Sequence, residues 1–391
     1  MSDIMILSGA RTAIGTFGGA LAGTPPIDLG ATVAKAAISR AGVDASQIGH
    51  VAFGHVINTE PRDMYLSRAA AIEAGLPDTV PAMNVNRLCG SGLQAIVSVI
   101  QSLMLGDADF ALAGGSENMS RSPYIMPQTR WGQKMGDAKS QDMMLGALNC
   151  PFGTGHMGVT AENVATEHGI NRDAQDAFAL ESQTRADHAI KAGYFTDQIV
   201  PVEARVKRDT VAFQVDEHPK TTSLEALSGL RTVFQKDGTV TAGNASGIND
   251  GAGALVLATE TATKASNLTP RARVIGYAHA GVRPEGMGIG PVPAVQKLLA
   301  RTGLKASDFD VIESNEAFAS QALAVSQELG LDPAKVNPNG GAIALGHPVG
   351  ATGAIITIKA LHELERTGGS KALITMCIGG GQGIALAIER V

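Results

Sequence analysis

Along residues 92–106, GLQAIVSVIQSLMLG, the polar positions fall in one narrow stripe: Gln94, Ser98, Gln101 and Ser102 stand at i, i+4, i+7 and i+8. The rest of the segment is apolar, so the spacing predicts a helix buried on all but one side. A glycine turn and the apolar run DFALAGG (109–115) follow and read as a buried strand. The same order returns near the end of the chain, where GAIITIKALHELERTGG (353–369) leads into KALITMCIGGG (371–381). A second pair of segments repeats as well: AISRAGVDAS (37–46) and LLARTGLKAS (298–307) each read as a helix end, a stopping glycine and an approach to a strand. Gly42 and Gly303 are 261 positions apart, and so are Gly92 and Gly353. Two segments at one offset point to a duplicated chain. Both copies alternate strands with helices, which predicts α/β layers around largely buried sheets.

Residues 119–249 break this pattern. They hold Pro123, Trp131, the Met- and Gly-rich QDMMLGALNCPFGTGHMG (141–158) and a charged helix, NRDAQDAFALESQTRADHAIKAG (171–193). Asn171 is a candidate N-cap for that helix and Gly193 its stop. The expected organisation is a first half of residues 1–118 with about 250–268, an inserted loop-rich unit of 119–249, and a second half of 269–391. The N-terminal MSDIMILSGARTA reads as a strand without a basic leader.

Composition narrows the function classes. With 44% hydrophobic and 17% charged residues, the chain is globular rather than disordered. Its net charge of -6 is spread out, and the absence of a Lys/Arg block argues against a nucleic-acid partner. No run of uninterrupted apolar residues has the length of a membrane span, so a cytoplasmic protein without a membrane partner is expected. Three cysteines, none in a CxxC pair, argue against a disulfide framework or a structural metal site.

Candidate chemistry gathers where the repeats begin their helices. In NRLCGSGLQA (86–95), Cys89 stands at the start of the buried helix, where free N–H groups predict a lowered thiol pKa. Alone it could equally be a small buried hydrophobe. His347, in NPNGGAIALGHPVGATGA (337–354), precedes the helix that mirrors it and is suited to take a thiol proton. Cys377 follows a strand and precedes three glycines in MCIGGGQG, and Asn315 ends another apolar strand in ESNEAFAS. Two cysteines, a histidine and an asparagine at such places form an acyl-transfer constellation. The glycines fit no nucleotide motif: GGGQG is not GxGxxG, and only eight residues follow Gly383. His50 and His55 are five apart, which does not suit two metal ligands on one helix face, and no HExxH occurs.

NRLCGSGLQAI, NEAFA, GGAIALGHPVGATGA and CIGGGQG together resemble the thiolases, and HMGVTAEN and TAGNASGINDGA extend the likeness over nearly the whole chain. The nearest likeness is to bacterial acetyl-CoA acetyltransferases and β-ketothiolases. The resemblance implies a duplicated αβαβα fold with an inserted loop domain. It implies that Cys89 takes an acetyl group from acetyl-CoA as a thioester, that His347 activates Cys89, and that Cys377 removes an α-proton from a second acetyl-CoA. The enolate then attacks acetyl-Cys89 in a Claisen condensation. Its oxygen would meet His347 with a water held by Asn315, and the other oxyanion site would be the N–H groups of Cys89 and Gly379.

By the same resemblance, Leu148, His156, Met157 and Ser246 line a pantetheine tunnel walled by Phe234, Ala242, Met287, Ala317 and Phe318. Met157, Phe234 and Met287 also fit ordinary core positions. Lys220 stands where many relatives carry an arginine near the CoA headgroup; it keeps the charge without the planar fork. Coenzyme A and acetyl-CoA are implied as substrates, with no tightly bound cofactor and no metal. The Tyr124–Trp131 loop suits a homotetramer, a dimer of dimers. The wording of the motifs resembles that of bacterial β-ketothiolases supplying polyhydroxyalkanoate precursors, some of which accept chains longer than four carbons, and so implies an acetyl-CoA C-acetyltransferase that tolerates short homologues. A degradative 3-ketoacyl-CoA thiolase is the alternative, and a non-catalytic acyl-CoA binding protein is a remoter one. Carrier-protein condensing enzymes lack the second cysteine that Cys377 supplies.

Overall fold

The computed structural model describes residues 3–206 and 208–391, with the side chain of Val206 left aside. In chain order the main elements of the first half are β1 (Ile4–Arg11), α1 (Pro26–Ala41), β2 (Ile48–Gly54), β3 (Ala82–Val85), α2 (Ser91–Leu105) and β4 (Phe110–Asn118). The inserted region contributes α3 (Met157–Glu167) and α4 (Arg172–Lys191), and β5 (Asn249–Thr259) returns to the first half. The second half runs β6 (Ala272–Gly281), α5 (Pro291–Thr302), β7 (Val311–Ser314), α6 (Ala319–Leu329), α7 (Thr352–Thr367), β8 (Lys371–Ile378) and β9 (Gln382–Arg390).

The duplication is visible in the strand order, β7-β8-β9-β6-β1-β5-β4-β2-β3. In the first half β5 lies antiparallel between β1 and β4, and β4 pairs in parallel with β2. In the second half β9 lies antiparallel between β6 and β8, and β8 pairs in parallel with β7. The half-sheets are joined through β1 and β6 by only two residue pairs, Met5–Arg273 and Ile6–Ala272.

Five layers follow from where the apolar faces go. Leu93, Ile96 and Ile100 of α2 and Ile358, Leu361 and Leu364 of α7 share one core with Leu255 and Leu257 of the first half-sheet and Ile374 and Leu386 of the second. The two helices are therefore a middle layer covered on both sides. Val33 and Ala37 of α1 pack on the outer face of the first half-sheet, and Val295 and Leu298 of α5 on that of the second. Apolar length and composition alone would let Leu88–Leu105 cross a membrane; here both half-sheets bury it. The predicted polar stripe on α2 is largely absorbed by β6: Gln94 contacts His279 at 2.9 Å and Gln101 donates to the Tyr277 hydroxyl at 2.9 Å.

The repeated glycines do two jobs. Gly42 and Gly303 end α1 and α5 in the left-handed conformation, φ 66° and 73°, which costs a glycine little. Gly92 and Gly353 lie where α2 and α7 begin side by side: a Cβ on Gly92 would stand 2.9 Å from the Ala354 nitrogen, and one on Gly353 would run into the Leu93 backbone.

The inserted region is built of short hairpins and two longer helices, with Asn171 capping α4 by accepting from the Ala174 N–H. One of its links to the sheet is a buried ion pair. Arg11 of β1 grips Asp216 through two bonds of 2.8 and 2.9 Å and donates to Gln198 at 3.0 Å. Gly353→Ala is expected to lower the unfolding free energy by about 3 kcal/mol, measured from urea midpoints. Gly23→Ala, where a Cβ meets nothing within 4 Å, stays within about 0.5 kcal/mol. Equal effects at the two sites would show that the crossing tolerates a side chain.

Candidate active site

Cys89 sits in a tight turn just ahead of α2. Leu88 before it is held at φ 47°, a conformation costly for a leucine. Ser91 fixes the turn: its hydroxyl donates to the Leu88 carbonyl at 2.6 Å and accepts the Arg87 N–H at 2.8 Å. α2 starts at Ser91 with Gly90 as N-cap, so Cys89 lies just outside the helix. The N–H groups of Gly379 and of Cys89 itself reach toward its sulfur. A Cβ on Gly90 would strike Ile378 at the end of β8, so the turn presses directly on the second half.

The expected lowering of the Cys89 pKa is not what the structure gives. Burial pushes the thiol up; the two N–H groups oppose it, and Glu117 adds to it. The reason is the apolar cluster packed against Cys89, which removes water from the sulfur and outweighs the two N–H groups.

His347 and Cys377 face the same cavity. The 261-residue offset places Gly350, not His347, opposite Cys89, so the imidazole enters from three residues upstream. It is 5% exposed, and burial pushes it down to about 4. The His347 backbone N–H donates to Asn249 Oδ1 at 2.9 Å, the ring Nδ1 meets Thr352 Oγ1 at 2.7 Å, and the ring Nε2 faces the Asn315 amide nitrogen at 3.4 Å. Asn315 follows β7, and its Oδ1 is buried without a protein partner. Cys377 is 1% exposed and lies inside the end of β8, not after it, with Gly379–Gly381 forming the turn into β9. Burial holds its thiol far above the usual range, and Cys89 adds to the rise.

The cavity has a volume of about 480 Å³, within the range of small-molecule sites. Leu148, His156, Met157, Lys220, Phe234, Ala242, Ser246, Met287, Ala317 and Phe318 all line it, together with Cys89, His347 and Cys377. His156 stacks on Phe234 with ring centroids 4.7 Å apart, and its Nδ1 accepts the Gly158 N–H at the start of α3. Phe318 meets Phe234 edge-on at 6.1 Å, and the Ser246 N–H donates to the Ala317 carbonyl at 3.0 Å. Met157, Met287 and Phe318 belong to one apolar cluster with Cys377 and Cys150, so they are both core and cavity wall. Among the described residues no three His, Cys, Asp or Glu side chains are grouped as a metal site.

Several residues at the site went unread in the sequence. Asn249 and Thr352 hold His347, and His218, pushed down to about 4 by burial, lines the cavity and meets Asn249 at 3.3 Å. Glu117, buried at the end of β4, accepts the N–H groups of Val56, Ile57 and Gly350, which pins the His347 loop to the first half. Thr352 and Asn249 do stand inside quoted motifs, but nothing in their spacing marks them.

The folded chain keeps His347 neutral down to about pH 4, whereas an unfolded histidine takes its proton near 6.5. Between those values the unfolded chain binds the additional proton, so stability falls as pH drops. Replacing His347 by Asn removes this loss. The stability of wild type relative to His347→Asn should shrink by about 2 kcal/mol from pH 6.5 to 4.5, read from urea midpoints at both pH values. An unchanged difference would mean that the folded chain protonates His347 freely.

Comparison with known proteins agrees with this arrangement. Residues 4–261 match the thiolase N-terminal domain model and residues 268–390 the thiolase C-terminal domain model. The chain is 59% identical to beta-ketothiolase BktB of Cupriavidus necator, over 100% of this chain and 99% of that protein. It superposes on the crystal structure of the Bacillus anthracis acetyl-CoA acetyltransferase with a TM-score of 0.98 at 46% identity, covering 100% of this chain and 99% of the other. Human mitochondrial 3-ketoacyl-CoA thiolase in complex with CoA gives a TM-score of 0.96, also at 46% identity, covering 100% and 98%. Matched over both halves and throughout its length, the chain belongs to the thiolase family.

Proposed function

We propose that the protein is an acetyl-CoA C-acetyltransferase, a β-ketothiolase that joins two acetyl-CoA molecules into acetoacetyl-CoA and free CoA and runs the reverse thiolysis. The observation that carries this reading is the meeting of two thiols and a neutral imidazole in the lining of one cavity of about 480 Å³. Cys89 passes its proton to His347, its sulfur attacks the acetyl thioester, and the imidazolium returns the proton to the departing CoA, which leaves as thiol. Cys377 then gives its own proton to His347 and, as thiolate, takes an α-proton from the second acetyl-CoA; the carbanion attacks acetyl-Cys89, and the expelled Cys89 sulfur recovers the proton from His347. A buried site stabilises the charge on each oxygen in turn. The N–H groups of Cys89 and Gly379 supply one such site, and His347 with the Asn315 amide, whose unpaired Oδ1 can hold a water, supplies the other.

His156, Ser246 and the Phe234–Phe318 wall would hold pantetheine, with Lys220 at the mouth toward the phosphates. The human 3-ketoacyl-CoA thiolase bound to CoA supports an acyl-CoA substrate here. We assign CoA binding and subunit contacts to residues 119–249, where Tyr124, Met126, Trp131 and Met135 stand exposed, Trp131 at 86%; such an apolar loop suits a homotetramer. Three unpaired cysteines fit a cytoplasmic setting.

Brief incubation with acetyl-CoA followed by intact-mass measurement should show one acetyl group on wild type and none on Cys89→Ala. Cys377→Ala should still acetylate while condensation falls about 10²- to 10⁴-fold. A wild-type protein that binds CoA yet takes up no acetyl group would overturn the catalytic reading. Thiolysis rates that fall beyond C4 and C5 3-ketoacyl-CoA fit the acetyltransferase. Rates that rise with acyl chains of eight or more carbons would assign the protein to fatty-acid degradation.

A further inference from the structure

His347 can accept a proton from Cys89 only through a ring nitrogen that carries none, and the two nitrogens have different surroundings. Nε2 faces the Asn315 amide nitrogen, a donor, at 3.4 Å. Nδ1 is occupied by one partner, Thr352 Oγ1, at 2.7 Å, which leaves Nε2 as the nitrogen for the thiol that lines the same cavity. A threonine hydroxyl has a single proton. The Pro348 carbonyl, four residues back and 2.9 Å away, can only accept, and Thr352 Oγ1 is within reach to donate to it. With its proton on that carbonyl, Oγ1 presents a lone pair to Nδ1, which supplies the hydrogen. Thr352 is 2% exposed and sits in the first turn of α7, so bulk water does not compete for the hydroxyl.

We propose that Thr352 is a positioning residue that holds His347 in its Nδ1–H tautomer, leaving Nε2 bare to take the Cys89 proton. The inference rests on the reading of His347 as the base and adds what makes it one. In the step itself the Sγ–H bond of Cys89 breaks and an Nε2–H bond forms. The product is a thiolate beside an imidazolium whose Nδ1–H is already bonded to Thr352. Without the hydroxyl, Nδ1–H would be a buried donor with no acceptor, a costly state. The ring would then favour the Nε2–H form, which Asn315 Oδ1 can accept after the amide turns over, and no base would face the thiol.

The test compares Thr352→Val, Thr352→Ser and wild type in the rate of Cys89 acetylation by acetyl-CoA, with circular dichroism as the check on folding. Thr352→Val should lower the acetylation rate about 10- to 100-fold with the KM for acetyl-CoA within about twofold, because the tunnel is untouched. Thr352→Ser, which keeps the hydroxyl, should recover most of the rate. Valine acetylating at the wild-type rate, or serine falling as far as valine, would overturn the proposal. A second measurement needs no variant at position 352. The ¹⁵N spectrum of histidine-labelled wild type, with the His347 signals assigned by their loss in His347→Asn, should show Nδ1 protonated and Nε2 bare; the opposite pattern overturns it even if Thr352→Val fails to fold. Failure of the underlying reading looks different: His347→Asn would then acetylate as fast as wild type, whatever tautomer the spectrum reports.

Discussion

Two helices can begin side by side, backbone against backbone, only where neither carries a Cβ, and this molecule depends on that contact. Gly92 of α2 and Gly353 of α7 meet there, and Gly350 lies against Gly54 and Gly115 of the first half-sheet. Because the helices touch so closely, they can share one layer and be buried by both half-sheets. The turns leading into them, with Cys89 on one and His347 on the other, are brought to a common wall. The half-sheets themselves share only two residue pairs. The helix crossing and the buried Glu117, which accepts the Gly350 N–H across the halves at 2.9 Å, therefore carry much of the alignment of the site.

Burial sets the chemistry as much as geometry does. A deep, largely apolar wall disfavours charge on any lone group. It pushes the Cys89 and Cys377 thiols up and the His347 imidazole down. At rest the site is therefore neutral: two thiols and an uncharged ring. A thiolate can form there only together with the imidazolium that takes its proton, so the pair shares the desolvation cost that neither ion would bear alone. The N–H groups of Cys89 and Gly379, fixed by a strained turn and a glycine turn, oppose that cost at the sulfur.

What could be read from the sequence was local or periodic. The duplicated α/β architecture followed from a 261-residue repeat, and Asn171, Gly42 and Gly303 announced the ends of their helices because capping is a property of a few adjacent residues. Cys89, His347 and Cys377 stood out because their motifs surround a reactive residue type with glycine. Thr352, Asn249, His218 and Glu117 did not, since each acts through partners that only the folded chain supplies; Asn249 and His347 are 98 residues apart. The thiol pKa was misjudged for a related reason: the apolar side chains that take water from Cys89 come from segments distant in sequence and meet it only in the folded chain. The union of the two half-sheets through β1 and β6 also has no local signature, because two backbone pairs need no particular side chain.

The two thiols differ in a way that orders the reaction proposed here. Cys89 lies in a turn open to the tunnel, with N–H groups aimed at its sulfur, while Cys377 is closed in at the end of β8 with little but apolar neighbours. Burial is the first cause holding the Cys377 proton on, and the neighbouring Cys89 is the second. A base held this high cannot compete with Cys89 for the first acetyl-CoA, so the nucleophile is selected before chemistry starts. The second cause acts only while Cys89 is a thiolate, because the resting thiol carries no charge. Once acetylated, Cys89 cannot ionise again, and Cys377 is the thiol left to give up its proton. The two thiols are thereby kept from ionising together: Cys89 does so while it attacks, and Cys377 after the acetyl group is in place.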